Sequence, residues 1–380
     1  MFLKSRLISD KRGLANPHYL RGLSNFPFMD KVKIGISCGD INSISLEVIL
    51  KALNNEQIFK SIIPIIYGNI KIVSYHKNIA LLENLSINII GQGEKPRPGR
   101  INLVNCWSDN VTITLGKASP DGGKFAQIAL ERAVDDVLKS EIDALVTGPV
   151  NKLSMRMAGF NYSGHTGYLK DKAEVNDCLM FMVSDRIKIG LVTDHVAVSS
   201  IASQITKESV LSKLRIMEQS LMSDFGIEKP HIAVLGLNPH AGEEGLIGSE
   251  DEEIIRPAII EAKKAGLFVA GPYSADGFFG SGHFSKFDGI LAMYHDQGLI
   301  PFKNMSYYEG VNYTAGLNFV RTSPDHGTAF DIAGKNEADP RSMIHAIYTA
   351  KDIYLQRKGF HEMRENVLKK RPKLSEESSE

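Results

Sequence analysis

Three histidines in this 380-residue chain each close an apolar run of strand length, and their types and spacing could do chemistry. Lys188-Ile-Gly-Leu-Val-Thr-Asp-His ends in His195, and His231-Ile-Ala-Val-Leu-Gly-Leu-Asn-Pro-His ends in His240. The run Ile290–Met293 is followed by Tyr294, His295, Asp296, Gln297 and Gly298. Alone, His295 would read equally well as a core histidine satisfied by a backbone carbonyl; the recurrence favours a site. Strand ends in a parallel sheet share one edge, where open α/β proteins place ligands. Three neutral imidazoles with an open position form a catalytic metal site, suited to zinc or cobalt better than magnesium. Glu243 could orient such an imidazole, although acids of this kind are more often solvated.

Lys303, Asn312 and Arg321 follow the third histidine. A cation, an amide and a planar guanidinium could together hold a phosphate or carboxylate. His165 and Thr166 follow a glycine and could bind a substrate, or Thr166 could simply cap a helix. Asp276 ends the turn-rich run Gly271-Pro-Tyr-Ser-Ala-Asp276, read as a loop after the strand 267–269.

The elements that must position these residues alternate in type. Apolar runs at 32–37, 62–67, 87–90 and 144–147 read as buried strands. Helical spacing is expected from about Ser45, over 125–137, 208–223, from Glu253, and over 341–356. Residues 92–100 and 323–336 are rich in turn formers. Strands alternating with helices predict an α/β fold with a mostly parallel sheet and helices on both faces. The junction Cys38-Gly-Asp-Ile-Asn42 could serve a ligand but lacks the glycines of a dinucleotide fingerprint. Residues 1–28 read as a basic extension without sustained apolar period, and 366–380 as a disordered tail.

Lys and Arg total 44 and Asp and Glu 44, so the formal charge is zero, which argues against a broad nucleic-acid footprint. Three isolated cysteines give neither a disulfide framework nor a thiolate zinc site and point to a reducing, cytoplasmic setting. No apolar run is long enough to span a membrane as a helix.

Longer motifs carry a resemblance. Val146-Thr-Gly-Pro-Val-Asn-Lys152, Gly164-His-Thr166, Thr193-Asp-His195, Leu237-Asn-Pro-His-Ala-Gly-Glu243, Tyr294-His-Asp-Gln-Gly-Leu-Ile-Pro-Phe-Lys303, Asn312-Tyr-Thr-Ala-Gly316 and Arg321-Thr-Ser-Pro-Asp-His-Gly-Thr328 closely resemble the 4-hydroxythreonine-4-phosphate dehydrogenase (PdxA) family of pyridoxal phosphate biosynthesis. The match runs from about Lys33 to Lys351. It implies a divalent metal, zinc before cobalt or magnesium, on His195, His240 and His295. It implies substrate contacts from His165, Thr166, Lys303, Asn312 and Arg321.

The implied fold is that of isocitrate and isopropylmalate dehydrogenases: two α/β lobes around a cleft, here 29–150 plus 300–365, and 151–299 with the metal ligands and dimer interface. In those relatives a loop like 326–336 holds the adenosine of NAD. This assigns His326, Gly327, Thr328, Ala329, Asp331 and Asn336 to NAD, or to NADP as the alternative. The family is a homodimer with its active site at the subunit interface. The resemblance implies His195 and His240 from one chain and His295 from the other.

The implied reaction is metal-assisted oxidation of the secondary alcohol of 4-phosphooxy-L-threonine, giving a β-keto acid that decarboxylates to 3-amino-2-oxopropyl phosphate. Asp276 and Lys303 are the candidate bases; a basic Lys303 would need metal and Arg321 charge beside it. The alternatives are another phosphorylated hydroxy acid as substrate or, in a different class, a zinc hydrolase or non-catalytic binding protein. Two departures stand out. The usual Gly-Asp-Pro-Ala-Gly-Ile-Gly-Pro-Glu is here Gly39-Asp-Ile-Asn-Ser-Ile-Ser-Leu-Glu47, and Gly167 stands where an acid is common.

Overall fold

The structure is a computed structural model that describes residues 31–91, 93–162 and 164–365; the extension expected over 1–28 and the tail over 366–380 lie outside the described residues. Its strands are β1 (Val32–Ser37), β2 (Ile62–Gly68), β3 (Ile87–Ile89), β4 (Ile101–Asn105), β5 (Ala144–Thr147), β6 (Leu179–Val183), β7 (Lys188–Leu191), β8 (His231–Leu235), β9 (Phe268–Tyr273), β10 (Gly289–Ala292), β11 (Val311–Ala315) and β12 (Arg321–Pro324). They form one 12-stranded sheet in the order β3-β4-β2-β1-β5-β12-β11-β6-β7-β10-β8-β9. Pairings are parallel except β5's far neighbours β12–β11, β11–β6 and β6–β7, which run antiparallel. Parallel strands need helical crossovers, so the apolar strands are covered by helices and buried. Ile34, Ile36, Leu145, Ile232 and Leu291 are almost wholly removed from solvent.

Local chemistry sets the helix ends. Ser119 caps helix Pro120–Leu138 by accepting the Gly122 amide, with proline in the first turn. Thr206 and Ser209 exchange hydrogen bonds in a capping box that starts helix Lys207–Ser223. The helix expected from Glu253 begins as a π turn over Asp251–Ile255 and becomes α-helical at Arg256.

Several elements depart from expectation. β9 continues through Tyr273, so 271–276 is no loop, and Asp276 lies in the first turn of helix Ala275–Gly280. The last helix runs from Arg341 to Glu365, past the expected end near Gln356. β12 reads Arg-Thr-Ser-Pro and carries no strand signal; it is a strand because β5 and β11 pair with it on either side. The half of the sheet from β3 to β11 comes from residues 32–147 and 311–324, the other half from 179–292. Helix His295–Ser306 bridges the two and crosses the expected lobe boundary at 299/300.

Candidate active site

β7, β10 and β8 are neighbours in the sheet, so the three histidine-bearing strand ends emerge side by side. Val192 and Thr193 donate their amides to Ala292 O (2.9 Å) and Met293 O (3.1 Å), and Thr193 Oγ1 donates to Met293 O (2.8 Å). That stitching sets the His195 and His295 rings 5.6 Å apart, centroid to centroid. Gln297 ties the next strand on: its Oε1 accepts the Met293 amide (2.7 Å) and its Nε2 donates to Gly236 O (2.6 Å).

Each of the two rings has a carboxylate behind it. His295 Nδ1 donates to Asp296 Oδ1 (2.7 Å), which leaves Nε2 free. Asp194 accepts the His195 backbone amide (2.6 Å) and lies 3.7 Å from its Nδ1; the hydrogen bond from His195 lowers this carboxyl to about 2. A carboxylate on one ring nitrogen orients the other toward a metal. A tetrahedral centre with nitrogens at about 2.0–2.1 Å sets two ring centroids roughly 5 Å apart. The observed pair therefore fits a metal. Glu243, the expected orienting acid, is exposed; Asp194 and Asp296 occupy that position instead.

His240 stands apart. It opens a run of left-handed backbone, with φ of 55° at His240, 52° at Ala241, 42° at Glu243 and 57° at Glu244. Buried Asp251 holds the preceding chain by accepting the Leu237 (2.8 Å) and Asn238 (3.0 Å) amides. His240 neighbours Asp276, whose carboxyl lies below its ordinary range, first through the Ser274 hydroxyl and also through His240. Among the described residues no three His, Cys, Asp or Glu side chains come close enough to hold a metal ion. Within this chain the two histidine rings in contact are those of His195 and His295.

The anion site is built differently. Arg321, first residue of β12, is 4% exposed. Its Nε and Nη2 donate to Thr147 Oγ1 (3.1 and 2.6 Å), Nη1 to Thr314 Oγ1 (3.0 Å) and Nη2 to His165 Nδ1 (3.3 Å). None of these partners is an anion. Burial lowers the guanidinium to about 10, so it remains charged at neutral pH. His165, the first residue of helix His165–Lys172, is driven down to about 3 by burial and by Arg321. Part of its surface stays accessible, but Nε2 is buried without a partner. Because Nδ1 accepts from Arg321, Nε2 carries the proton and is a donor in want of an acceptor. A buried cation without an anion is costly, and an anionic ligand would offset that cost. Thr166 follows in the same helix. Sequence reasoning missed Thr147 and Thr314; their positions at the end of a buried strand and inside Asn312-Tyr-Thr-Ala-Gly316 were the available signal.

Asn312 lies in β11, opposite Ser323 and Met182, and is half-buried. Lys303 projects from helix His295–Ser306 toward Asp325, Nζ to Oδ1 3.6 Å. Its charged neighbour is thus an anion, where the expectation set Arg321. Burial raises the Asp325 carboxyl, and Lys303 and His295 oppose that rise, so these three groups share one neighbourhood. Of the two candidate bases, Lys303 stands with His295 and Asp276 with His240.

The 326–336 loop also leaves polar atoms open. His326 Nδ1 donates to Gly327 O (3.1 Å), while its Nε2 and Asn336 Oδ1 are buried acceptors without donors. Thr328 O accepts the Ile44 amide (3.2 Å), Ala329 (φ 39°) and Asn336 (φ 60°) are left-handed, and Asp331 is exposed.

Residues 60–350 match the family described as "Pyridoxal phosphate biosynthetic protein PdxA". The chain is 46% identical over 342 residues to the 4-hydroxythreonine-4-phosphate dehydrogenase of Bacteroides thetaiotaomicron, covering 90% of this chain and 94% of that one. It is 41% identical over 319 residues to the protein of the same name from Sulfurihydrogenibium sp., covering 84% and 97%. The crystal structure of 4-hydroxythreonine-4-phosphate dehydrogenase from Klebsiella pneumoniae superposes with a TM-score of 0.74 at 32% identity, covering 86% of this chain and 98% of that one.

Proposed function

The chain belongs to the PdxA family of pyridoxal phosphate biosynthetic proteins, and from that membership we propose that it oxidises 4-phosphooxy-L-threonine with a nicotinamide dinucleotide. The product, 2-amino-3-oxo-4-phosphooxybutanoate, loses carbon dioxide to give 3-amino-2-oxopropyl phosphate. The observation that carries this reading is the buried Arg321 guanidinium, which has hydroxyls and an imidazole for partners but no anion.

In this reading Arg321 and the Nε2–H of His165 hold the substrate's phosphate, with Thr166 and Asn312 at its margins. His195 and His295 hold a divalent metal, preferably zinc, through the nitrogens turned away from their carboxylates. When bound, the metal would acidify the substrate hydroxyl, and the dinucleotide would accept hydride from the carbon bearing it. Lys303, in the neutral form that a metal's charge nearby would favour, would receive the hydroxyl proton, and it is preferred to Asp276 because it stands with His295. His326 Nε2 and Asn336 Oδ1 are acceptors suited to the amino and hydroxyl donors of adenosine; NAD is the cofactor, with NADP as the alternative.

The separation of His240 from the other two histidines supports a homodimer in which a partner chain completes the site. Three free cysteines suit a reducing, cytoplasmic setting. Gly167 favours one second reading: without an acid beside His165 and Thr166, the substrate could be a phosphorylated four-carbon hydroxy acid lacking the amino group.

The test is NADH formation on mixing protein, zinc or cobalt, NAD and 4-phosphooxy-L-threonine. Formation only with the phosphorylated sugar acid selects the second reading. No NADH with either substrate, across both metals and with NADP in place of NAD, removes the dehydrogenase assignment.

A further inference from the structure

The junction between β1 and the helix Ser45–Leu53 departs most from the resembled pattern, and it is densely bonded. Gly39 has φ of 68°, and a Cβ there would lie 2.4 Å from Pro149 O. Asn42, fully buried, stands where that pattern carries alanine. Every polar group of Asn42 has a partner. Its amide donates to Asp40 Oδ1 (2.9 Å), and its Oδ1 accepts the Thr114 amide (2.7 Å). Its Nδ2 donates to Ser119 Oγ (2.8 Å), and its carbonyl accepts the Gly116 amide (2.9 Å). One side chain thus fixes both ends of the connection 114–119.

That connection backs the proposed dinucleotide loop. A Cβ on Gly116 would lie 2.8 Å from Phe330 O, and one on Gly334 would lie 2.6 Å from Leu115 Cδ1. The helix after the junction holds the same loop as well. Ile44 N donates to Thr328 O (3.2 Å), Glu47 Oε1 accepts the Ala338 amide (2.9 Å), and Lys51 Nζ donates to Asn336 O (3.1 Å). The loop that offers His326 Nε2 and Asn336 Oδ1 is thus held by both supports.

We propose that Asn42 is a positioning residue for the nicotinamide dinucleotide, acting through 114–119 on the loop 326–336. The proposal rests on reading that loop as the adenosine pocket. Alanine at this place removes two side-chain hydrogen bonds, lets the connection drift from Phe330, and loosens the loop without touching the phosphate or metal groups.

The experiment is a fluorescence titration of the full-length protein with NADH, without substrate, on wild type, Asn42→Ala, Gly116→Ala and Asn336→Ala, followed by steady-state kinetics. Asn42→Ala should weaken NADH binding about 5- to 10-fold, the worth of one or two net hydrogen bonds. It should raise KM for NAD alike and leave kcat at saturating NAD and KM for the phosphorylated substrate within about two-fold. Gly116→Ala, strained at φ 74° and pressed on Phe330 O, should do the same and decides alone if Asn42→Ala does not fold. Wild-type NADH affinity in the Asn42 variant while Asn336→Ala binds weakly overturns the positioning role. Wild-type affinity in Asn336→Ala as well overturns the pocket reading, and the proposal with it.

Discussion

Arg321 and His295 both sit where a strand meets the sheet's functional edge, yet the fold treats them in opposite ways. Arg321 is 4% exposed and fixed by two threonine hydroxyls and an imidazole. The His295 side chain is 36% exposed and that of His195 51% exposed, each braced by one adjacent carboxylate. At the first place the chain has already accepted the cost of burying a charge, so the geometry exists before any ligand arrives. At the second, both imidazoles remain open to solvent. On the proposed reading, preorganised charge would serve the part of the substrate that does not react, and the accessible imidazoles the part assembled with metal and a partner chain. The difference separates stability from function at one corner and assembly from function at the other.

The sharpest break of that comparison is Arg321→Met. Loss of the charge should lower kcat/KM for the phosphorylated substrate by about 10²–10³-fold, because a buried charged contact is removed. The thermal midpoint should hold or rise, since an unpaired buried charge is replaced by an apolar side chain. A large fall in midpoint with kcat/KM retained would make Arg321 a structural cation.

The second concerns the metal corner. With His195 and His295 from one chain and His240 from its partner, mixing exchangeable His240→Ala and His295→Ala subunits should restore activity, towards roughly a quarter of wild type for independent sites. Mixing His195→Ala with His295→Ala should restore none. Recovery in that second mixture would return His295 to the partner chain, as the resemblance implies.

The smallest effect is a pH dependence. Burial and the Arg321 charge push the His165 imidazole down to about 3 in the folded protein, against about 6.5 for a free imidazole. Between those values the unfolded chain binds a proton that the folded chain does not, so stability falls as pH drops from about 6.5 toward about 3. Above that window the group contributes nothing. His165→Gln should therefore shrink the loss of thermal midpoint between about pH 7 and about pH 5, by about 2 °C for a chain of this size. An unchanged slope would show that His165 is not the group that resists protonation.

The sequence by itself determined the strand runs Ile34–Ile36, Ala144–Val146, Ile232–Leu235 and Ile290–Ala292, because burial on both faces of a parallel sheet demands continuous apolar chain. It also placed the three histidines three to five residues beyond the ends of buried strands, where the chain leaves the sheet. Residue type suggested an anion site on Lys303, Asn312 and Arg321, and the motif resemblance implied that they contact substrate. Tertiary structure alone decided the rest. β12 is a strand only because β5 and β11 pair with it, and its Arg-Thr-Ser-Pro carries no such preference. Arg321 meets Thr147 and His165 across 174 and 156 residues of chain, and a guanidinium's lack of a counter-ion is a fact about three-dimensional neighbours. Which two histidines converge depends on the strand order β7-β10-β8, fixed by long-range pairing within one half of the sheet rather than by any residue's own propensity.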